Sequence, residues 1–224
     1  MKHKVLVGTT AAAIAIMVST SGVCEDGNTA SLVALPPAAM KGTMSLEEAI
    51  AQRRSVRKFT DAPLSIEQVG RLCWAGQGIT EPRRGLRASP SAGALYPIDI
   101  YVVTAEGVDQ YQPDPHGLRR HLAGDMRPAL RRAALNQEVL SEAPVCLVIA
   151  AVPQKLAQRY GQRSMRYCLI EAGHVAQNIL LQATALGLAG VPVGAFEDAQ
   201  VAEVLKFPSG TEVLYLLPIG NPRT

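Results

Sequence analysis

Two stretches of the chain begin with a serine and continue with apolar residues at helical spacing. Ser45 is followed three residues later by Glu48. Ser65 is followed in the same way by Gln68. In such a capping box, the serine hydroxyl and the acidic or amide side chain each accept a hydrogen bond from the other residue's backbone N–H group. Both stretches are therefore predicted to begin helices, and the second carries apolar residues along one face.

Three further stretches have the patterns of β-strands. Residues 98–104 alternate between apolar and polar positions, as a half-buried strand does. Residues 145–151 form a continuous apolar run, which is typical of a strand buried on both faces. Residues 212–219 are predicted as a final buried strand, whereas residues 110–117 are rich in turn formers.

Helical spacing recurs at 125–140, 166–186 and 199–205. The helix at 166–186 is apolar round most of its circumference, so we expect it in the core or at a subunit interface. Gly187 ends it. Residues 76–97 form a long loop with several glycines and prolines, and loops of this length are usually functional. This order of strands and helices predicts an α+β fold, in which helices flank a central mixed sheet.

The N-terminus has the layout of an exported protein. Lys2 and Lys4 precede an uncharged stretch, and small polar residues follow it, which is typical of a secretory signal peptide. We therefore divide the chain into a signal peptide at 1–24, a linker at 25–43 and a folded domain at 44–224. The protein is predicted to be exported, either periplasmic or secreted.

Two alternatives to plain secretion concern the same segment. A retained anchor is the less favoured one, because the uncharged stretch is shorter than the roughly 20 residues of a membrane span. No stable membrane span is therefore expected. Cys24 would carry a lipid if the protein were a lipoprotein, but Val23 is bulky beside that cleavage position.

Composition and charge exclude some classes of function. The chain has 224 residues, 48% of them hydrophobic, which is enough for one domain with a sizeable core. A net charge of +3, with no aromatic residues among the basic runs, argues against a nucleic-acid partner. The arginines at 119–132 are interpreted as a solvated helix face. The four cysteines are widely spaced, so no metal site is predicted, and Cys146 is predicted as a buried thiol.

Four cations and a serine lie within residues 53–58, directly after the first predicted helix. One interpretation is a solvated basic turn that interacts favourably with the helix dipole. The other is an anion site, because a guanidinium offers two parallel hydrogen bonds to the oxygens of a phosphate. The cluster by itself favours the first interpretation.

Further strings along the chain change this assessment. They lie at 90–97, 136–137, 159–161, 171–178, 186–196 and 216–223. In this order and together with the basic cluster, they resemble the nitroreductase superfamily of FMN-dependent oxidoreductases, and within it the SagB-type branch of azoline dehydrogenases. The resemblance runs from about Met44 to Arg223. It implies a nitroreductase-like FMN-binding fold and an entwined homodimer with two FMN sites at the interface.

The resemblance also implies how FMN would be held. The positions at its phosphate and ribityl end are matched by Arg53, Arg54, Ser55, Arg57 and Arg223. The loop along the flavin, which the family takes from the partner subunit, is matched by Pro90, Ser91 and Ala92. An amide at the polar edge of the flavin is matched by Asn136 or Gln137, and the backbone near N5 by Pro192, Val193, Gly194 and Ala195.

The expected function is an exported FMN-dependent oxidoreductase that transfers hydride or electrons between flavin and a small or aromatic substrate. NAD(P)H is a candidate electron donor. Tyr160 is the candidate catalytic residue, as an acid or an anchor, although it could simply pack. The pair Arg159-Tyr160 stands where azoline dehydrogenases have Lys-Tyr, and an arginine is a poor general base. The alternatives are an azoline-to-azole dehydrogenase acting on a peptide and a non-catalytic flavin-binding module.

Overall fold

The computed structural model of the protein describes residues 32–223. The predicted signal peptide and Cys24 lie outside the described residues. The helices are α1 (Leu46–Gln52), α2 (Ile66–Gln77), α3 (Arg127–Ala133), α4 (Val139–Glu142), α5 (Gln154–Tyr160), α6 (Ser164–Ala185) and α7 (Asp198–Val204). The strands are β1 (Leu32–Ala34), β2 (Ile79–Glu81), β3 (Leu86–Arg87), β4 (Ile98–Val103), β5 (Gly107–Gln112), β6 (Gly117–Ala123), β7 (Val145–Ala151), β8 (Ala189–Gly190) and β9 (Glu212–Gly220). Within residues 32–223, every helix falls short of the length and apolarity needed to cross a bilayer.

Both predicted capping boxes are confirmed. At the start of α1, the Glu48 backbone N–H donates to Ser45 Oγ over 3.1 Å, and the Ser45 N–H donates to Glu48 Oε2 over 2.7 Å. Ser65 and Gln68 exchange the same pair of bonds at the start of α2. These caps satisfy N–H groups that have no partner within the helix. Arg53 is the C-cap of α1, so the basic cluster begins where the helix ends, as predicted.

Seven strands form one sheet in the order β1-β6-β5-β4-β7-β9-β8. Every strand pair of this sheet within residues 32–223 is antiparallel. The predicted mixed sheet is therefore a central antiparallel sheet, and its parallel element is an isolated bridge between Ser55 and Gly190. The difference arises because short turns join β4, β5 and β6, and a short turn can join only antiparallel neighbours.

Two helical layers cover the two faces of the sheet. Ile98, Ile100 and Val102 of β4 pack towards α2 and α6. The alternate residues Tyr101 and Val103 pack towards α3, α4 and α7. All seven residues of β7 are buried, which confirms the prediction of a strand covered on both faces.

Two sequence predictions in the middle of the chain were wrong. The region at 110–117 contains the end of β5, a turn and the start of β6, so the turn residues occupy only the tip of a hairpin. As a result, Arg119 and Arg120 lie on a strand and not on a helix. The helix predicted at 125–140 is broken into α3 and α4, because Leu135 and Asn136 adopt positive φ angles of 56° and 59°, which a right-handed helix cannot contain.

Strand β1 lies inside the stretch predicted as a linker. Leu32, Val33 and Ala34 pair with the free edge of β6, and the Leu35 N–H donates to the His116 carbonyl over 3.0 Å. An exposed sheet edge offers unpaired backbone groups to any neighbouring extended segment. This pairing is non-local, and the composition of the segment gave no indication of it.

Candidate functional site

The basic segment 53–60 runs along one edge of the sheet and is held there by its backbone. The Val56 N–H donates to the Gly190 carbonyl over 3.1 Å, and the Thr60 N–H donates to the Asn221 carbonyl over 2.9 Å. The Arg223 N–H donates to the Lys58 carbonyl over 3.0 Å. The structure therefore brings the basic cluster together with Gly190 and with the C-terminal end of the chain.

Phe59 anchors this segment in the core. Its side chain is 0% exposed and packs directly against the backbone of Gly220. A Cβ atom at Gly220 would lie 2.8 Å from Pro144 Cδ and 3.0 Å from Phe59 Cβ, and real side chains do not approach so closely. Because Gly220 has no side chain, the Phe59 ring can pack directly against its backbone. Its neighbours Arg57 and Lys58 are exposed.

The cations of the segment have different partners. Lys58 lies 3.5 Å from Glu138 and 3.3 Å from Glu142. Arg54 turns back to the end of α1, where its Nη1 donates to the Ala51 carbonyl over 2.9 Å. The Arg54 side chain therefore interacts with the C-terminal end of α1, as the solvated-turn interpretation predicts. This contact competes with the predicted contact of Arg54 with a phosphate.

Three other arginines of this edge differ from Arg54 and Lys58 in their partners. Within residues 32–223, none of the salt bridges involves Arg53, Arg57 or Arg223. Arg57 and Arg223 are exposed, Arg53 is half-buried, and Ser55 is exposed between them. Three arginines without salt bridges and a serine therefore lie at the same sheet edge, and guanidinium groups are suited to bidentate pairing with phosphate oxygens.

The segment after β8 connects this edge to the predicted amides. The Val191 N–H donates to the Pro218 carbonyl, and Val193 forms a two-bond bridge with Leu216. Beyond this bridge Gly194 and Ala195 are exposed. Pro192 is half-buried between the two bonded residues. The predicted backbone surface 192–195 is therefore fixed on one side by β9 and open on the other.

Of the two predicted amides, Gln137 is the one in contact with this surface. Its Nε2 donates to the Ala195 carbonyl over 2.8 Å and to the Ala134 carbonyl over 3.0 Å. Asn136 is exposed and is held in its left-handed conformation by a bond from its N–H to the Arg131 carbonyl. Gln137 therefore positions the segment, whereas the Asn136 amide stays available to a ligand.

The loop with Pro90, Ser91 and Ala92 lies elsewhere, against α5 and α6. Gly93 has a φ of 63°, and a Cβ atom there would lie 2.8 Å from both Arg159 Nη1 and Tyr160 Oη. Tyr160 is thus adjacent to the predicted flavin loop. The hydrogen bonds described for residues 89–96 link this loop to itself, to β3 and to α6, and none of them reaches the arginine group. Within one chain, the two parts of the predicted site are separate.

A buried polar group behind this loop was not recognised from the sequence as part of a site. Gln77 Nε2 donates to Glu171 Oε1 over 3.3 Å, and Arg87 Nη1 donates to Gln77 Oε1 over 3.2 Å. Asn178 Nδ2 donates to Ser89 Oγ over 3.2 Å, so Asn178 links α6 to the loop. The available signal was a carboxylate in a helix that is otherwise mostly apolar, since such a group is seldom buried without a specific partner.

Burial raises the pKa of Glu171 above its usual value. Hydrogen bonds from Ser91 and Gln77 and the charges of Arg87 and His174 act in the opposite direction but do not cancel this effect. Cys146 is fully buried, as predicted, and burial raises its pKa to about 12. It is therefore an unreactive thiol in the core.

A cavity with a volume of about 680 Å³ lies near the start of α2. Its walls include Leu64, Val102, Asp109 and Glu142, and none of the predicted FMN-contacting residues. The arginine group and the 192–195 backbone instead form an open edge. An edge of this kind becomes an enclosed site only when something else covers it.

Comparison with known proteins agrees with this architecture. Residues 50–221 match the Nitroreductase family. The chain is a member of the nitroreductase family. A candidate nitroreductase of Methanocaldococcus jannaschii is 40% identical over 184 residues, which cover 80% of this chain and 91% of that one.

Two solved structures share the fold. A candidate nitroreductase from Ralstonia eutropha superposes with a TM-score of 0.79 at 28% identity, covering 88% of this chain and 92% of that one. The NADPH:FMN oxidoreductase of Vibrio harveyi, solved with NAD+, has a TM-score of 0.62 at 27% identity, with 80% and 69% of the two chains covered. The superfamily and the nitroreductase-like α+β fold predicted from the sequence are thus confirmed, and the protein is a nitroreductase-type oxidoreductase.

We expect that Gly220→Ala will destabilise the protein and displace the basic segment. The new methyl group would overlap Pro144 and Phe59, and overpacking of this kind costs about 1–3 kcal/mol. Urea unfolding measures the free energy of unfolding. Gly42→Ala is the matched control, because the atoms nearest to a Cβ there are 3.9 Å away. Equal stability of the two variants would contradict the proposed seating of Phe59 on Gly220.

Proposed function

We propose that this nitroreductase-family oxidoreductase binds FMN with its phosphate at Arg53, Ser55, Arg57 and Arg223. The observation that carries this proposal is that the backbone places Arg53, Arg57 and Arg223 at one sheet edge, which continues into the open backbone of 192–195. Within residues 32–223, none of the three arginines forms a salt bridge. A phosphate needs several fixed donors and positive charge at one point. The edge supplies both, because backbone bonds and Phe59 hold the segment in place.

The FMN ring would then lie along residues 192–195. When bound, FMN supplies reversible two-electron chemistry, so the protein needs to bind, orient and tune it. Backbone N–H groups at Gly194 and Ala195 would stabilise negative charge that develops next to them. The Gln137 bond to the Ala195 carbonyl keeps this backbone in position, and the exposed amide of the neighbouring Asn136 would be a further donor.

The loop at 90–92 would complete the site of a second subunit in a homodimer. Leu169 and Ile170 on α6 are 55% and 47% exposed, and Leu46 and Ile50 on α1 are also exposed. Exposed apolar residues on adjacent helices are typical of an interaction surface. A second copy that covered α6 would bury this surface and could bring its own 90–92 loop over the open edge.

We propose a small or aromatic acceptor as the substrate and NAD(P)H as the electron donor. The name of the Vibrio harveyi relative, NADPH:FMN oxidoreductase, supports this donor. The azoline-to-azole oxidation of the SagB-type branch is the alternative, and the position of Tyr160 against Gly93 favours it. Arg159 argues against it, since a guanidinium does not act as a base near neutral pH.

We also propose that the protein is exported. The support is the sequence of residues 1–24, in which a basic start precedes an uncharged stretch. Fractionation of expressing cells tests this proposal, with a version that lacks residues 2–24 as the control, since this deletion leaves β1 in place. The full chain should appear in the periplasm or medium and the shortened one in the cytoplasm. Retention of both inside the cell would contradict export.

The purified protein is expected to be yellow or to take up FMN, and Arg57→Ala should weaken that binding. Hydrogen bonds to charged groups contribute about 1.5–3 kcal/mol each, so the dissociation constant should rise on the order of tenfold to a hundredfold. Quenching of flavin fluorescence measures it. Arg54→Ala is the control, because the Arg54 guanidinium already bonds to the end of α1, and its effect should be smaller.

The outcomes of this titration separate the proposals. A wild-type protein that takes up no FMN would reject the proposed cofactor. Normal binding by Arg57→Ala would reject the assignment of the basic segment as the phosphate site. Loss of colour on anaerobic addition of NADPH or NADH is expected if nicotinamide cofactors are the donors, and an unchanged spectrum would point to another donor.

Substitution Leu169→Glu is expected to convert a dimer into a monomer. A charge on the exposed face of α6 would have to be buried without a partner in the proposed interface, which is strongly unfavourable. Sedimentation velocity measures the mass of the particle. Ile66→Glu serves as the matched control, because Ile66 is an exposed apolar residue on α2 that lines the cavity near the start of that helix and is not among the residues of the proposed interface. A monomeric wild-type protein would contradict the homodimer.

A further inference from the structure

A second cavity, with a volume of about 470 Å³, lies where the segment before α1 meets helices α1, α2 and α6. We call it the α2–α6 cavity. Pockets of about 300–1,000 Å³ are typical of sites that bind small molecules. Among the described residues that line it, none is a predicted FMN contact. A ligand in this cavity would therefore not occupy the proposed flavin site.

The walls of the α2–α6 cavity are mostly apolar. Met40 and Met44 line it on the side that precedes α1. Trp74 of α2 and Leu181 of α6 add further apolar surface. A side chain at Gly78 would overlap the Trp74 indole, so the ring packs directly against the Gly78 backbone. Methionine side chains adapt to the shape of a ligand, and an aromatic ring offers a large apolar face. The cavity therefore suits the apolar body of a small molecule.

Among the described residues that line this cavity, Arg71 alone carries a charge. A Cβ atom at Gly42 would lie 3.9 Å from Arg71 Nη2, which places the guanidinium beside the segment before α1. Within residues 32–223, Arg71 Nε is buried without a hydrogen-bond partner, and Arg71 forms no salt bridge. Glu67, one turn earlier on α2, is exposed. The charge of Arg71 is therefore not paired with a carboxylate of the described residues.

Two amide side chains of α6 line the same cavity. Asn178 and Gln182 are four residues apart, hence on one face of the helix, and both are half-buried. An anion in the cavity would meet a guanidinium and amide N–H groups, and no carboxylate of the described lining residues would repel it. A cation would be repelled by Arg71. The lining is therefore complementary to negative charge.

We propose that the α2–α6 cavity binds a small organic anion, whose carboxylate pairs with Arg71 and whose apolar body lies against Trp74 and the two methionines. A guanidinium and a carboxylate form two parallel, charge-assisted hydrogen bonds. An uncharged ligand of the same shape would leave the guanidinium without a partner beside it, which is unfavourable in a partly buried position. The carboxylate thus selects the ligand, and burial of its apolar body adds affinity.

The fluorescence of Trp74 tests this site, because the chain has a single tryptophan. The full chain as purified is titrated with phenylbutyrate and with its uncharged counterpart phenylbutyramide. Since charge-assisted hydrogen bonds contribute more than neutral ones, we expect a dissociation constant about tenfold lower for the carboxylate. Acetate has the charge but no apolar body, so it should not saturate the signal over the same range of concentration.

Substitutions of Arg71 assign the signal to this cavity, since Trp74 also borders a smaller cavity beside His116. Arg71→Gln should raise the dissociation constant of phenylbutyrate about tenfold to a hundredfold and leave that of phenylbutyramide unchanged. Arg71→Lys keeps the charge but not the planar pair of donors, so its effect should be smaller. Arg132→Gln is the matched control, because it removes an exposed arginine of α3, which packs on the other face of the sheet.

Equal affinities for phenylbutyrate and phenylbutyramide, or wild-type affinity in Arg71→Gln, would overturn the proposal. If Arg71→Gln does not fold, an unchanged affinity in Arg71→Lys would have the same meaning. Saturation by acetate at similar concentrations would indicate a site for any small anion and would contradict the proposed class of ligand.

Two further outcomes concern the neighbouring sites. Phenylbutyrate should bind whether or not FMN is present, so this result is independent of the proposed function, and displacement of phenylbutyrate by FMN would overturn the proposal. Leu46 lines the cavity and belongs to the exposed surface assigned to the homodimer. A dimer that binds no phenylbutyrate would indicate that the second subunit fills the cavity, and would also overturn it.

Discussion

The seating of Phe59 against Gly220 is the contact on which the candidate site depends. It fixes the extended segment after α1 to the edge of the sheet, between Gly190 on one side and Asn221 on the other. An extended segment with several like charges would otherwise be held only by a few exposed backbone bonds. One buried aromatic side chain, of the size that dominates core energetics, keeps those charges together at the surface without neutralising them.

The sheet extends this constraint to the rest of the site. Strand β9 pairs with β7 in the centre of the sheet and with β8 at its edge, and it also bonds to the segment that follows β8. Gly190 of β8 and the residues that follow β9 therefore meet the basic segment at fixed positions. Gln137 reaches the same region from the other layer because α3 ends at a left-handed turn. A rigid scaffold thus holds exposed loop residues in a defined arrangement, which binding sites require.

The loop at 89–96, the second part of the candidate site, is held in a different way. The 89–96 loop is placed by a small polar group between α2, β3 and α6, and not by apolar packing alone. Buried polar groups of this kind specify one geometry when they are fully bonded, and they become sensitive points when one member lacks a partner. Glu171 is such a member, with one oxygen bonded and the other not. The edge at Phe59 is thus fixed by apolar packing, whereas the loop depends on a buried polar group.

The sequence by itself determined the features that depend on neighbouring residues. The capping boxes at Ser45 and Ser65, the doubly buried strand β7 and the long apolar helix α6 follow from local spacing, and the ordered strings indicated the family. Tertiary structure decided the features that depend on distant residues. The pairing of β1 with β6, the contact of Gln137 with Ala195 after the break in α3, and the burial of Glu171 against Gln77 each require a partner far along the chain. The same reason explains the arginines: local sequence places Arg53, Arg54 and Arg57 together, but only the fold distinguishes the one that caps a helix from those that face outward beside Arg223.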